Sequence, residues 1–324
     1  MWQKLTRTSK KYHLQSEITS FVSIDGTTEI QLIKITNLSE EEQEVTPIVA
    51  IPVYGRSADN IRDHRHVTSL LHRIDTKECG VEVTPVLSFD ERGHQKNDTT
   101  YFVYGFTAEG NAPKEFYPTV ESFIGEGGSF LIPEAVRVEK TGCTAGCHLE
   151  GKEAVGAFRF ERRKLKANES IEYVVLAGAT GEKASISKIC TLFGTKEQAE
   201  NELAKVKKYW TEKVNVEFET GDEATDNYLK WICFQPILRR IYGCSFLPYH
   251  DYGKGGRGWR DLWQDCLALL IMNPSNVRQM IVDNYGGVRI DGTNATIIGN
   301  KQGEFMQTET ILHVSGWIMH SGHL

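Results

Sequence analysis

Tyr249-His250-Asp251-Tyr252-Gly253-Lys254-Gly255-Gly256-Arg257-Gly258-Trp259-Arg260-Asp261-Leu262-Trp263-Gln264-Asp265 is a glycine-rich loop that runs straight into an apolar helical segment. The start of that helix is dense in charged, amide and indole groups. Arg260 and Gln264 are four residues apart, and so are Asp261 and Asp265, so each pair shares a helix face one turn apart. Trp259 and Trp263 have the same spacing and supply an apolar wall. A guanidinium, an amide and two carboxylates on adjacent faces hydrogen-bond several hydroxyls at once, which suits a sugar ring. The same residues also fit a plain helix N-terminus, with the carboxylates complementing the dipole and Arg260 paired to one of them. The surrounding chain favours the sugar reading.

Downstream, Asn273-Pro274 predicts an N-cap with proline at the first helical position, and a helix to about Asn284. Gly286-Gly287 ends it. Val288 to Gly299 is a polar loop interrupted by glycine, and a last helix is expected after Gly303-Glu304-Phe305. Upstream, Thr220-Gly221-Asp222-Glu223 reads as a capping box. It opens a helix with Ala224, Tyr228, Trp231, Ile232 and Gln235 on one face, kinked by Pro236 and stopped by Gly243. Before that, Thr195 and Gln198 form another capping box, and Ala199, Leu203, Val206, Trp210 and Val214 trace an amphipathic connector helix.

The first half reads as β-sheet. Ser16 to Val53 holds short apolar runs separated by Asp25-Gly26 and by the polar turn from Leu38 to Glu42. Pro47 and Pro52 point to an edge or to strand ends. Further strands are expected at Val81 to Phe89, Thr100 to Thr107, Phe130 to Val138, Ala154 to Arg162 and Ile171 to Ala179, with turns at Arg92-Gly93 and Asn168-Glu169. Many short strands without alternating helices predict an antiparallel β-sandwich. Ser57 to Asp75 breaks the pattern with a cluster of Arg and His. Asp63, His64, His66 and His72 offer metal donors, but the close arginines favour a hydrogen-bonded segment.

With 324 residues and a net charge of -6, the chain can bury a substantial core, and its mild acidity argues against a nucleic-acid partner. The longest fully apolar run, Leu267 to Met272, is far short of the ~20 residues of a membrane span, and the polar N-terminus has no secretory pattern. Seven scattered cysteines read as reduced thiols, and the expected location is cytoplasmic. Cys143 and Cys147 are four apart, but no second pair follows at zinc-finger spacing, so no metal site is expected there. Gly125-Glu126-Gly127-Gly128 lacks the strand-to-helix setting of a phosphate-binding loop.

The run Tyr252 to Asp265 resembles the R-D-x-x-Q-D region of cellobiose phosphorylase-like enzymes, the glycoside phosphorylases of glycoside hydrolase family ninety-four and their relatives. Gly287 to Gly299 and Ser57 to Ile74 resemble the same group. The resemblance implies a β-sandwich over residues 1–190, a helical linker over 191–219, and the first part of an (α/α)6 catalytic barrel over 220–324. It implies a glycosyltransferase that cleaves a β-glucoside-type disaccharide or oligosaccharide with inorganic phosphate, inverting, to give an α-sugar 1-phosphate. Phosphate is then a co-substrate and no cofactor or metal is implied. By the same resemblance, Arg260 and Asp265 hold the donor sugar, with Asp261, Gln264 and Trp259 in support, and the protein is expected as a homodimer. The family's general-acid Asp stands in a D-W-N-D-like motif that this sequence lacks, so it is expected downstream of Leu324. About a hundred residues follow Gly221, whereas about twelve helices with loops need roughly 200. The chain therefore reads as a fragment cut at both ends and inactive alone. Two alternatives remain open at this point: an inverting glycoside hydrolase on the same scaffold, and a carbohydrate-binding protein without catalysis.

Overall fold

The computed structural model describes residues 2–25, 28–55, 65–90, 93–181, 183–242, 257–298, 305–310 and 317–321. The chain divides into two units, the first running to Tyr209 and the second starting at Trp210.

The first unit opens with β1 (Trp2–Ser9), β2 (Leu14–Val22), β3 (Thr28–Asn37), β4 (Gln43–Val45) and β5 (Ile48–Val53). After α1 (Arg65–Leu70) come β6 (His72–Lys77), β7 (Gly80–Pro85), β8 (Leu87–Asp90), β9 (Gly93–Lys96), β10 (Thr100–Thr107) and β11 (Glu115–Thr119). Two short helices, α2 (Val120–Ile124) and α3 (Glu134–Arg137), precede β12 (His148–Glu150), β13 (Ala154–Arg159), β14 (Arg163–Leu165) and β15 (Ser170–Thr180). Eight of these strands form one antiparallel sheet in the order β1-β2-β3-β15-β10-β7-β6-β12, and β11-β13-β5 form a second. Pro52 lies in β5, an edge strand, where a missing N–H costs least.

Alternation explains how the layers stack. Along β15, Tyr173 and Val175 turn into the core between the sheets, with Val53, Ile74, Val81, Val103 and Phe158. Val174 and Leu176, at the intervening positions, are equally buried on the opposite face. That face is covered by α4 (Lys183–Phe193), which packs on β15 and buries Ile186, Ile189 and Phe193. The two sheets approach so closely that a Cβ on Gly156 would stand 2.3 Å from the Cβ of Val103. β13 is buried on both sides, with Val155 and Ala157 packing on Tyr117, Val120, Phe123 and Ala135. Beneath this second core, Arg159 pairs with Glu115 at 2.8 Å, their side chains only 9% and 14% exposed. Arg159 also donates through Nη2 to the carbonyls of Ala135 and Lys140 and lies over the Tyr117 ring, while its buried Nε has no partner among the described residues.

Several expectations need correction here. Phe130 to Val138 is not a strand: Pro133 caps α3, and Leu131 and Ile132 face solvent. Proline has no N–H for a ladder but suits a helix start, and its pull exceeds the β-propensity of its apolar neighbours. Trp2–Ser9 is a strand although it reads as polar, because an edge strand buries little on either face. α4 was not legible either. The Asn168 turn is present, with φ at +61. So is the capping box at Thr195, whose N–H donates to Gln198 Oε1 at 3.1 Å ahead of α5 (Lys196–Lys213).

The second unit holds α6 (Glu223–Tyr242), β16 (Arg257–Gly258), α7 (Trp259–Met272), α8 (Val277–Tyr285), β17 (Ile297–Ile298), β18 (Phe305–Thr310) and β19 (Trp317–Ser321). Its core joins Ile237, Leu262, Cys266, Leu269 and Val277, with Trp210, Val214, Met280 and Ile281 against them. Each fully buried aliphatic side chain contributes ~1.5–3 kcal/mol. The N-cap of α6 is Asp222, which accepts from the Thr225 N–H at 3.1 Å, rather than Thr220, whose hydroxyl instead donates to Asp226 at 2.7 Å. The N-cap of α8 is Asn276 rather than Asn273. Asn273 still belongs to the end of α7, its N–H donating to the Leu269 carbonyl. Among the described residues the segment from Phe305 is not helical: β16, β17, β18 and β19 pair in that order in a four-stranded sheet. Among the described residues no helix is long and apolar enough to cross a membrane.

Candidate functional site

The start of α7 is fixed by the loop that returns to it. The Trp259 N–H donates to the Thr296 carbonyl at 2.9 Å, and β16 pairs with β17 through Arg257↔Ile298 and Gly258↔Ile297. The loop after α8 is itself ordered by local bonds. Arg289 N–H donates to Thr293 O at 2.8 Å, and the Thr293 N–H and hydroxyl both donate to Asp291. Those bonds hold the exposed Asp291 carboxyl below its usual range. Ala295 N–H then donates to the Gly287 carbonyl at 2.8 Å, which folds the loop onto the end of α8. Gly287 has no room for a side chain: a Cβ would lie 2.8 Å from Phe305 and 3.0 Å from Trp259 Nε1.

Trp259, Trp263 and Tyr285 form an aromatic row, with ring centroids 5.4 Å and 5.0 Å apart and near-perpendicular planes. Trp259 Nε1 donates to the Asn284 carbonyl at 2.9 Å. Two donors beside it remain unspent: Trp263 Nε1 and Asn284 Nδ2 are buried, with no hydrogen-bond partner among the described residues. Buried donors without acceptors are costly, and a ligand oxygen is one way to satisfy them. Sequence spacing did not point to Asn284 or Tyr285. Their only signal is that they precede Gly286-Gly287 at the helix end.

The residues expected to bind sugar divide around α7. Arg260 and Gln264 are exposed on one face, as their four-residue spacing requires. Asp265 is only 4% exposed and lies on the inner side with Leu262, Cys266 and Leu269. Five residues turn a helix by about 140°, so Arg260 and Asp265 do not share a face. Trp259 is half-buried at the first position of the helix. The side chain of Asp261, and residues 243–256 with Lys254, lie outside the described residues, as do Asp63 and His64. Among the described residues no three His, Cys, Asp or Glu side chains are grouped to hold a metal.

In the first unit, an open concavity of about 430 Å³ is lined by Thr119, Glu121, Gly125, Glu126, Lys152 and Glu153. Its Glu121 is paired to Lys152 at 3.0 Å, which leaves the lining acidic through Glu126 and Glu153.

Residues 3–196 match the family model described as glycosyl hydrolase 94, supersandwich domain. No curated protein matches the chain. Among solved structures, a polysaccharide lyase is 12% identical with a TM-score of 0.32, over 56% of this chain and 22% of that one. A heparinase III is 14% identical with a TM-score of 0.26, over 56% of this chain and 20% of that one. The match thus spans about a fifth of the length of these proteins, and likenesses this weak carry no argument.

Proposed function

We propose that this chain, which belongs to the glycosyl hydrolase 94 family, holds the donor sugar of a glycoside phosphorylase. In that reaction phosphate attacks the anomeric carbon of a β-linked disaccharide or oligosaccharide with inversion, leaving an α-sugar 1-phosphate. Family membership supports a carbohydrate-active enzyme, and the phosphorolytic chemistry is our reading. The observation that carries it is the clamped start of α7, where Trp259 is bonded both to Thr296 and to Asn284.

The roles follow from side-chain chemistry. Arg260 and Gln264, exposed together, donate to sugar hydroxyls or to a phosphate oxygen, the guanidinium through charge-assisted bonds. Asp265 and Asp261 are the carboxylate acceptors for sugar hydroxyls. Asp265 is buried, and burial makes each hydrogen bond to it count for more. Trp259 and Trp263 form the apolar wall, and the unspent Trp263 and Asn284 donors suit an oxygen-rich ligand. A phosphorylase needs one general acid for the leaving oxygen, because phosphate is already the nucleophile. No residue of this chain is assigned that role. No cofactor is invoked, and a homodimer is the proposed assembly.

Phosphorus NMR of the protein with β-linked gluco-disaccharides and phosphate tests the reading, alongside calorimetric titration of the same sugars. An α-sugar 1-phosphate, or saturable sugar binding strengthened by phosphate, supports it. Release of free sugar at a rate indifferent to phosphate overturns it in favour of hydrolysis.

A further inference from the structure

The first unit contains a paired-thiol site. Cys143 and Cys147 bracket an exposed turn, Thr144 to Gly146, in which Gly146 takes φ +90. Each end of the turn is fastened to a different sheet. Cys143 and Phe116 of β11 exchange backbone bonds, Cys143 N–H to Phe116 O at 2.9 Å and Phe116 N–H to Cys143 O at 2.8 Å. Cys147 is held by Thr76 of β6: Thr76 N–H donates to Cys147 O at 2.9 Å, and Cys147 N–H donates to Thr76 Oγ1 at 2.9 Å. The same Thr76 hydroxyl donates to Thr144 O at 2.8 Å, and Gly146 N–H donates to Thr76 O at 2.9 Å. Thr76 is itself buried at 1% exposure, so the clamp is rigid. It holds Cys143 and Cys147 at the two ends of one short, pinned turn. Both are free and half-exposed, within reach of small reagents.

We propose that Cys143 and Cys147 are a reversible dithiol–disulfide pair, oxidised by small-molecule disulfides, whose closed form ties the turn between β6 and β11. A metal is the weaker occupant. Two sulfurs fall short of a four-ligand zinc site. The neighbouring His148 has both ring nitrogens engaged, by Asp75 at 2.7 Å and Glu150 at 3.2 Å.

The exchange balances. Burial first, and then the adjacent Cys147 sulfur, push the Cys143 thiol above its usual range, which disfavours its thiolate. The Cys147 thiolate displaces one thiolate from the disulfide reagent and forms a mixed disulfide. Cys143 then loses its proton, attacks the Cys147 sulfur and displaces the second thiolate. Two protons and two electrons leave the pair, and the reagent's S–S bond accepts the electrons.

Both cysteines fall in one tryptic peptide, Thr141 to Lys152, which makes the test direct. The full chain is equilibrated in glutathione redox buffers, acid-quenched, alkylated, digested and weighed. The expected product is that peptide unalkylated and two hydrogens lighter, restored by dithiothreitol. It should form at an about tenfold lower oxidised-to-reduced glutathione ratio than in urea, reflecting the preset proximity. Cys143→Ser and Cys147→Ser should each leave a glutathione adduct on the remaining thiol. Double alkylation at every ratio, accumulation of adducts in the unsubstituted protein, or bonding of either cysteine to another thiol of the chain would each overturn the proposal.

Discussion

Trp259 donates its indole N–H to the Asn284 carbonyl at 2.9 Å, joining the first residue of α7 to the last turn of α8. The bond matters because the Trp259 backbone N–H is taken by Thr296, so one residue anchors two returning segments. Trp259→Phe keeps most of the ring but removes this donor, and should cost about 0.5–1.5 kcal/mol. Gly287→Ala should cost at least as much, since its methyl would strike Phe305 and the Trp259 indole. Thermal melts of both variants check this. A Gly287→Ala melt identical to that of the parent would show that the loop is looser than described.

The buried pair Arg159–Glu115 should respond strongly to loss of one partner. Glu115→Ala leaves a guanidinium that is 9% exposed without its counter-charge, and a cost of about 3–5 kcal/mol follows. Urea denaturation reads it directly. A shift below about 1 kcal/mol would mean that the Ala135 and Lys140 carbonyls suffice alone.

Two histidines give opposite pH dependences. His72 has a ring nitrogen 3.2 Å from each of two carbonyls, those of Lys152 and Gly55, yet burial outweighs these bonds and holds its pKa below the usual value. Nearby Glu153 pulls in the other direction, more weakly. Below pH ~6.5 the unfolded chain takes up a proton that folded His72 refuses, so this stability is present above that pH and lost as pH falls towards the folded pKa. His148, on the surface, is raised by its hydrogen bonds to Asp75 and Glu150. Its contribution is present below pH ~6.5 and lost as pH rises through its folded pKa. Melting temperatures from pH 5 to 8 should therefore fall less on acidification in His72→Gln and more in His148→Gln. Identical slopes in the two variants would contradict the assignment.

α7 carries Leu267 and Ile271 on its outer face, 69% and 75% exposed. Val282, Tyr285 and Ile290 are also exposed in this unit, a density of apolar surface that promotes self-association. Leu267→Glu with Ile271→Glu should reduce association in light scattering while changing stability by no more than about 0.5 kcal/mol. A large destabilisation would show that this face is packed.

Much of the first unit was legible because its strands are short apolar runs bounded by turn residues. Ile171 to Ala179 reads as a strand and is the centre of the large sheet, and the Thr195–Gln198 capping box marks α5. What failed was local. Pro133 turned an apolar run into a helix start, and Asp222 displaced Thr220 as a cap because its carboxylate lies nearer the open N–H groups. At the site, spacing put Arg260 and Gln264 on one face. It could not tell that Asp265 turns inward, since that depends on where Ile237 and Val277 pack. The unspent donors of Trp263 and Asn284 arise from contacts between helices and leave no pattern in the sequence.

The most direct measurement is calorimetric titration of a β-linked gluco-disaccharide into the parent chain, Arg260→Ala and Asp265→Ala, each checked for an intact melt. Saturable binding by the parent and none detectable in either variant is the expected result. Unchanged affinity in both would contradict the claim that the start of α7 holds the sugar.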